Sequence, residues 1–124
     1  MAGRGEVWLV DLGMTAKIRP ALILSVAPSD ADRALVTLVP HTTAVRNSSY
    51  EAAIAVGFLK TGAFDGQSLV TVPSVRLLKR LGRLTGSQMS AVEAAVCDWL
   101  GLRAPQTPTV HPNRVIREGD QPER

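Results

Sequence analysis

Apolar residues gather in short blocks broken by turn formers, and that spacing predicts a series of strands closed by one helix. Glu6-Val7-Trp8-Leu9-Val10-Asp11 is the first block. Its apolar centre scarcely alternates, so a strand covered on both faces is expected. A loop from Leu12 to Lys17 leads through Arg19-Pro20 into a second strand, Ala21 to Val26. Proline fixes its own φ and lacks an N–H, which suits the entrance of a strand better than its middle. The segment Ala27 to Asp32 is rich in turn formers. A third strand, Ala34 to Val39, is expected to stop at Pro40. A polar loop from His41 to Tyr50 follows, then a fourth strand at Ala52 to Val56.

Phe58 to Gln67 holds both phenylalanines and reads as an ordered loop, because its aromatic rings need a surface to pack on. Ser68 to Val72 is the fifth strand. Pro73 then opens a helical turn, Ser74 to Arg80, with Val75, Leu77 and Leu78 toward the core, and Leu81 to Leu84 forms one more short strand. Thr85-Gly86-Ser87-Gln88 has the form of a capping box, in which Thr85 and Gln88 satisfy orphan backbone donors at a helix start. Met89, Val92, Val96, Trp99 and Leu100 recur three or four positions apart on the helix that follows, and Gly101 suits its C-cap. Strands at short spacing followed by one helix point to an α+β, mainly β fold: a small, strongly bent β-barrel or sandwich with a C-terminal helix packed on it.

Composition bounds this picture. At 124 residues the chain is one domain. Its domain is expected over residues 1–102, because residues 103–124 carry four of the eight prolines and few large apolar side chains. Such a segment buries too little surface to offset its ordering entropy, so a flexible tail is expected there. No stretch has the length of a membrane span. Met1 to Gly5 lacks the apolar core of a signal peptide. The single cysteine, Cys97, cannot form an internal disulfide, and the cytoplasm is the expected compartment. The net charge of +3 is unevenly spread: no acidic residue occurs between Gly66 and Val92, while Arg76, Lys79, Arg80 and Arg83 lie close together. That face suits an anionic partner, or is simply solvated surface.

Chemistry can be narrowed by what the chain lacks. Its histidines are His41 and His111, and there is no CxxC, HExxH, Walker loop, dinucleotide-binding glycine pattern or nucleophile elbow. No metal and no cofactor are therefore expected. What remains suits cleavage of RNA, where the ribose 2′-OH supplies the nucleophile. The protein then has to accept a proton, donate one to the leaving oxygen and stabilise charge on phosphorus. An arginine fork meets two phosphate oxygens at once, and a threonine hydroxyl can hold the 2′-OH or a non-bridging oxygen.

Gly5-Glu6-Val7-Trp8-Leu9-Val10-Asp11, Arg19-Pro20-Ala21-Leu22-Ile23-Leu24-Ser25, Val39-Pro40-His41-Thr42-Thr43 and Leu81-Gly82-Arg83-Leu84 resemble, in order and spacing, the successive blocks of the MazF/PemK family of toxins. The resemblance covers residues 5 to 102. It implies an SH3-like barrel of about five to seven strands and a metal-independent endoribonuclease of a toxin–antitoxin pair. It also implies a homodimer neutralised by a cognate antitoxin, which alone would bring it to operator DNA. Arg19 and Thr42 stand at the positions the family uses for catalysis. His41 stands where family members usually have a small or aliphatic residue.

Each residue also has a plainer reading. Arg19 could form an ion pair with Asp11 or Glu6, and Thr42 could bond its own backbone. His41 is either a proton carrier or a solvent-facing loop residue. Asp65 and Gln67 either read a base edge or serve turn chemistry at Asp65-Gly66. Thr43, Arg46, Arg76, Lys79 and Arg80 complete the candidate substrate contacts. Two rival functions stay open: a non-enzymatic gyrase poison of the same barrel type, and a catalytically silent RNA-binding or antitoxin-binding regulator.

Overall fold

The computed structural model describes residues 2–13 and 18–102; the expected tail from 103 to 124, with His111, lies outside the described residues. In chain order the elements are β1 (Glu6–Asp11), β2 (Ile18–Ile23), β3 (Leu35–Thr42), β4 (Glu51–Ala52), β5 (Ala63–Asp65), β6 (Val70–Pro73), β7 (Leu77–Arg83) and α1 (Gly86–Leu100), with 3₁₀ turns at Gly66–Ser68 and Ser74–Arg76. Pairing is antiparallel in the order β4-β5-β3-β2-β1-β7, and β6 also pairs with β3. The class is α+β and mainly β, as the apolar pattern predicts. The ladders leave β4 and β7 unpaired with each other, so hydrogen bonding does not close the barrel.

Strand alternation builds two cores from the same strands. Val7, Leu22 and Val39 turn to one face, where Phe64, Leu84 and the helix residues Met89, Val92 and Val96 cover them. Val10, Ala21, Ile23, Val36, Leu38 and Val72 turn to the other. The uninterrupted apolar runs of β1 and β2 follow from burial on both sides. At α1 the expected capping box is present: Thr85 Oγ1 accepts from the Gln88 N–H, and the Gln88 side chain accepts from the Thr85 N–H. Gly101 ends the helix in the left-handed region, with φ 72°.

Several boundaries differ from the sequence expectation, for physical reasons. β3 does not stop at Pro40 but runs through it to Thr42. On the side of β3 away from β2, β6 pairs as far as Leu38 and β5 begins only at His41. The Thr37 carbonyl accepts from Leu24 of the β2 chain, so Pro40, three positions on, directs its nitrogen to the other side, into that gap. There the missing N–H costs no hydrogen bond. His41 is consequently a strand residue, only 4% exposed, and not a solvent-facing loop residue.

β2 likewise begins at Ile18 and contains Pro20 in its interior, rather than starting after it. The expected fourth strand shrinks to Glu51–Ala52, while the segment read as a loop supplies β5. Only Ser74–Arg76 of the expected helical turn is helical. Residues 77–83 are extended, so alternation turns Leu77 inward and Leu78 outward, and Val75 is also exposed rather than in the core. On α1, Ala95 is buried where Trp99 and Leu100 were expected; both of those are exposed, and Trp99 stacks edge-on against Tyr50 at 5.3 Å.

Candidate active site

The β2–β3 ladder pairs Ala21 with Pro40, Leu22 with Val39 and Ile23 with Leu38. Extending that register brings Pro20 opposite His41, and Arg19 opposite Thr42 on the same face. The ladder stops short of both for a covalent reason. Leu24 donates toward β3, so the even positions of β2 direct their N–H groups that way. The next rung would need an N–H from Pro20, and proline has none. The ladder ends at this point, and a pocket of about 450 Å³ beside it has Arg19, Pro20, His41, Thr42 and Thr43 among its lining residues.

Thr42 makes the backbone bond of its plainer sequence reading. Its Oγ1 accepts from the Ala44 N–H at 3.0 Å, the local turn bond. That contact occupies a lone pair and leaves the O–H free to donate. Beneath it, His41 packs edge-on against Phe64 with ring centroids 5.1 Å apart. Its Nε2 is buried and has no hydrogen-bond partner. Burial holds the imidazole pKa below the usual histidine range, and the Arg19 charge lowers it further. The ring is thus neutral at pH 7.

The alternative partners for Arg19 are engaged elsewhere. Glu6 accepts from Trp8 Nε1 at 2.9 Å and from the Gly3 N–H at 3.1 Å, and it lies 3.8 Å from Arg80 and 3.6 Å from Arg83. Asp11 pairs with Arg76 at 3.9 Å. No ion pair to Arg19 occurs among the described residues.

Phe58, Leu59 and Lys60, which carry no sequence motif, also line the pocket. Two glycines let this segment approach. A Cβ on Gly82 would lie 2.4 Å from the Phe58 ring, and one on Gly62 would lie 2.2 Å from the Thr42 carbonyl oxygen and 2.8 Å from the His41 ring. The expectation that the phenylalanines must pack pointed to this segment; nothing pointed to Lys60.

Other candidates lie off the pocket wall. Asp65 accepts from the Gln67 N–H at 3.0 Å and from Ser68 Oγ at 2.7 Å, which is turn chemistry. Gln67 is exposed beside it. Arg46 belongs to a loop organised by Glu51, whose carboxylate accepts from the Arg46 and Ser48 N–H groups. Arg76 follows β6, and Lys79 and Arg80 project from β7.

A family model described as "PemK-like, MazF-like toxin of type II toxin-antitoxin system" matches residues 3–100. The chain belongs to this toxin family. Among solved structures it is similar to an endoribonuclease in complex with its cognate antitoxin from a mycobacterial species, at 28% identity and a TM-score of 0.73, covering 85% of this chain and all of that one. It is similar to the Mycobacterium tuberculosis toxin MazF-mt6 at 28% identity and a TM-score of 0.69, covering 80% and 99% of the two chains. MazF from Deinococcus radiodurans, at 19% identity, shares the fold with a TM-score of 0.67 over 82% and 97%. In this PemK-like toxin no helix among the described residues is long and apolar enough to cross a membrane. Its described His, Cys, Asp and Glu side chains form no group suited to hold a metal ion.

Proposed function

We propose that this toxin is a cytoplasmic, sequence-selective endoribonuclease that cleaves single-stranded RNA. The observation that carries the reading is the placement of Arg19 opposite Thr42 where the β2–β3 ladder opens. The 2′-oxygen of the substrate attacks phosphorus, the bond to the 5′-oxygen breaks, and the products end in a 2′,3′-cyclic phosphate and a 5′-hydroxyl. Arg19 stabilises the added charge on the phosphorane. Thr42 orients a reacting or non-bridging oxygen through a hydrogen bond from its hydroxyl, Thr43 lines the approach, and the departing 5′-oxygen takes its proton from water. The dependence on a 2′-OH selects RNA over DNA.

His41 is the candidate proton acceptor, since burial keeps its ring neutral. Its Nε2 is enclosed, so the segment around Gly62 must give way before that atom meets substrate. The toxin works as a homodimer. A cognate antitoxin neutralises it, as the complex of its mycobacterial neighbour suggests.

Incubating the purified protein with a long RNA in EDTA and mapping the fragment ends tests the reaction directly. Fragments with cyclic phosphate and 5′-hydroxyl ends are expected. Intact RNA together with inhibition of gyrase would replace this reading with the poison, and RNA binding without fragments would replace it with the silent regulator.

A further inference from the structure

The pocket holds a second cation. Lys60 lines the same pocket as Arg19, and the chain on both sides of it is packed. On one side Phe58 and Leu59 pack against the helix-side core, and the Leu59 N–H donates to the Val56 carbonyl at 3.2 Å. On the other side Gly62 rests against the Thr42 carbonyl and the His41 ring. Among the described residues no carboxylate lines the pocket, and neither Arg19 nor Lys60 has an ion pair. Two cations facing one opening without a counter-charge attract an anion longer than a single phosphate.

We propose that Lys60 binds the phosphate next to the one held by Arg19, so that the RNA backbone enters between β2 and the Phe58–Lys60 segment. This rests on the nuclease reading of the same pocket. Lysine is a flexible point charge rather than a planar fork, which suits a phosphate that must be held but not transformed. Lys60 is therefore a binding residue whose removal weakens affinity and spares the chemical step.

The test compares wild type, Lys60→Gln and Lys60→Arg on two substrates. The first is a cleavable RNA, read as kcat and KM. The second is a pool of single strands carrying 2′-O-methyl groups, which cannot react, read as binding against salt concentration. Lys60→Gln is expected to raise KM and weaken binding by ~3- to 10-fold, with kcat within about 2-fold. It should also flatten the salt slope by ~0.7, the value for one lost contact to a single strand. Lys60→Arg should restore both. An unchanged KM and salt slope in Lys60→Gln would overturn the proposal, as would a loss confined to kcat. Failure of the wild-type protein to cleave any RNA would instead sink the nuclease reading, while the salt slope on the unreactive pool would still report on Lys60.

Discussion

Two sets of cations in this molecule differ in a way that the sequence does not show. Arg76, Lys79, Arg80 and Arg83 form its densest basic run, and three of the four lie near a carboxylate: Arg76 with Asp11, Arg80 and Arg83 with Glu6. Arg19 and Lys60 are distant in sequence, face one pocket and have no ion pair among the described residues. A run of like charge marks where a chain needs neutralising. Cations that share a pocket without a carboxylate suit a partner that supplies the negative charge.

The sharpest way to break this distinction is Arg19→Ala. Loss of transition-state stabilisation should lower kcat on the order of a hundredfold or more at unchanged melting temperature, and unchanged cleavage would remove Arg19 from the site. Thr42→Val should cost about tenfold in kcat, and it keeps the β-branched shape that the strand prefers. Gly62→Ala forces a Cβ against backbone, so it should lower stability by ~1–3 kcal/mol and lower activity with it. Thermal unfolding followed alongside cleavage separates the two losses.

Glu6→Gln probes the structural group through pH. Its carboxyl is held below the usual range chiefly by the Trp8 hydrogen bond, helped by the Gly3 N–H and the two arginines. A lowered folded pKa stabilises the protein above the unfolded value of ~4.3 and loses that contribution as pH falls through the folded value. Melting temperatures should therefore drop on acidification in wild type and drop less steeply in Glu6→Gln. His41 has the same sign with a different cause. Its folded pKa is lowered by burial, so stability declines as pH falls below ~6.5. Cleavage that requires its neutral ring should persist below that pH before falling, and an identical acid limb in His41→Gln would exclude it as the base. The smallest effect is expected for Arg80→Gln, within about 2-fold in cleavage, because an exposed arginine paired at 3.8 Å contributes little.

The sequence disclosed most where one physical signal acted alone. The capping box at Thr85-Gln88 and the two-sided apolar run of β1 were readable because local bonding and burial decide them. Arg19 and Thr42 were readable through their blocks, although nothing local says that they face each other; that follows from the register of β2 on β3. Pro40 misled because its tolerance depends on a gap between β5 and β6, which only tertiary pairing creates. The error carried over to His41, placed in a solvent loop when Phe64 in fact covers it. Lys60 was missed because a lone lysine between apolar residues looks like any exposed lysine until Gly62 and Gly82 are known to bring its segment down on the sheet.

The proline at position 20 makes the β2–β3 junction a zipper whose slider is jammed two teeth from the end. A residue with an N–H at position 20 could donate to the His41 carbonyl and carry the ladder one pair further, toward Arg19 and Thr42. One absent hydrogen atom thus marks where the ladder ends, at a proline that is itself part of the pocket wall.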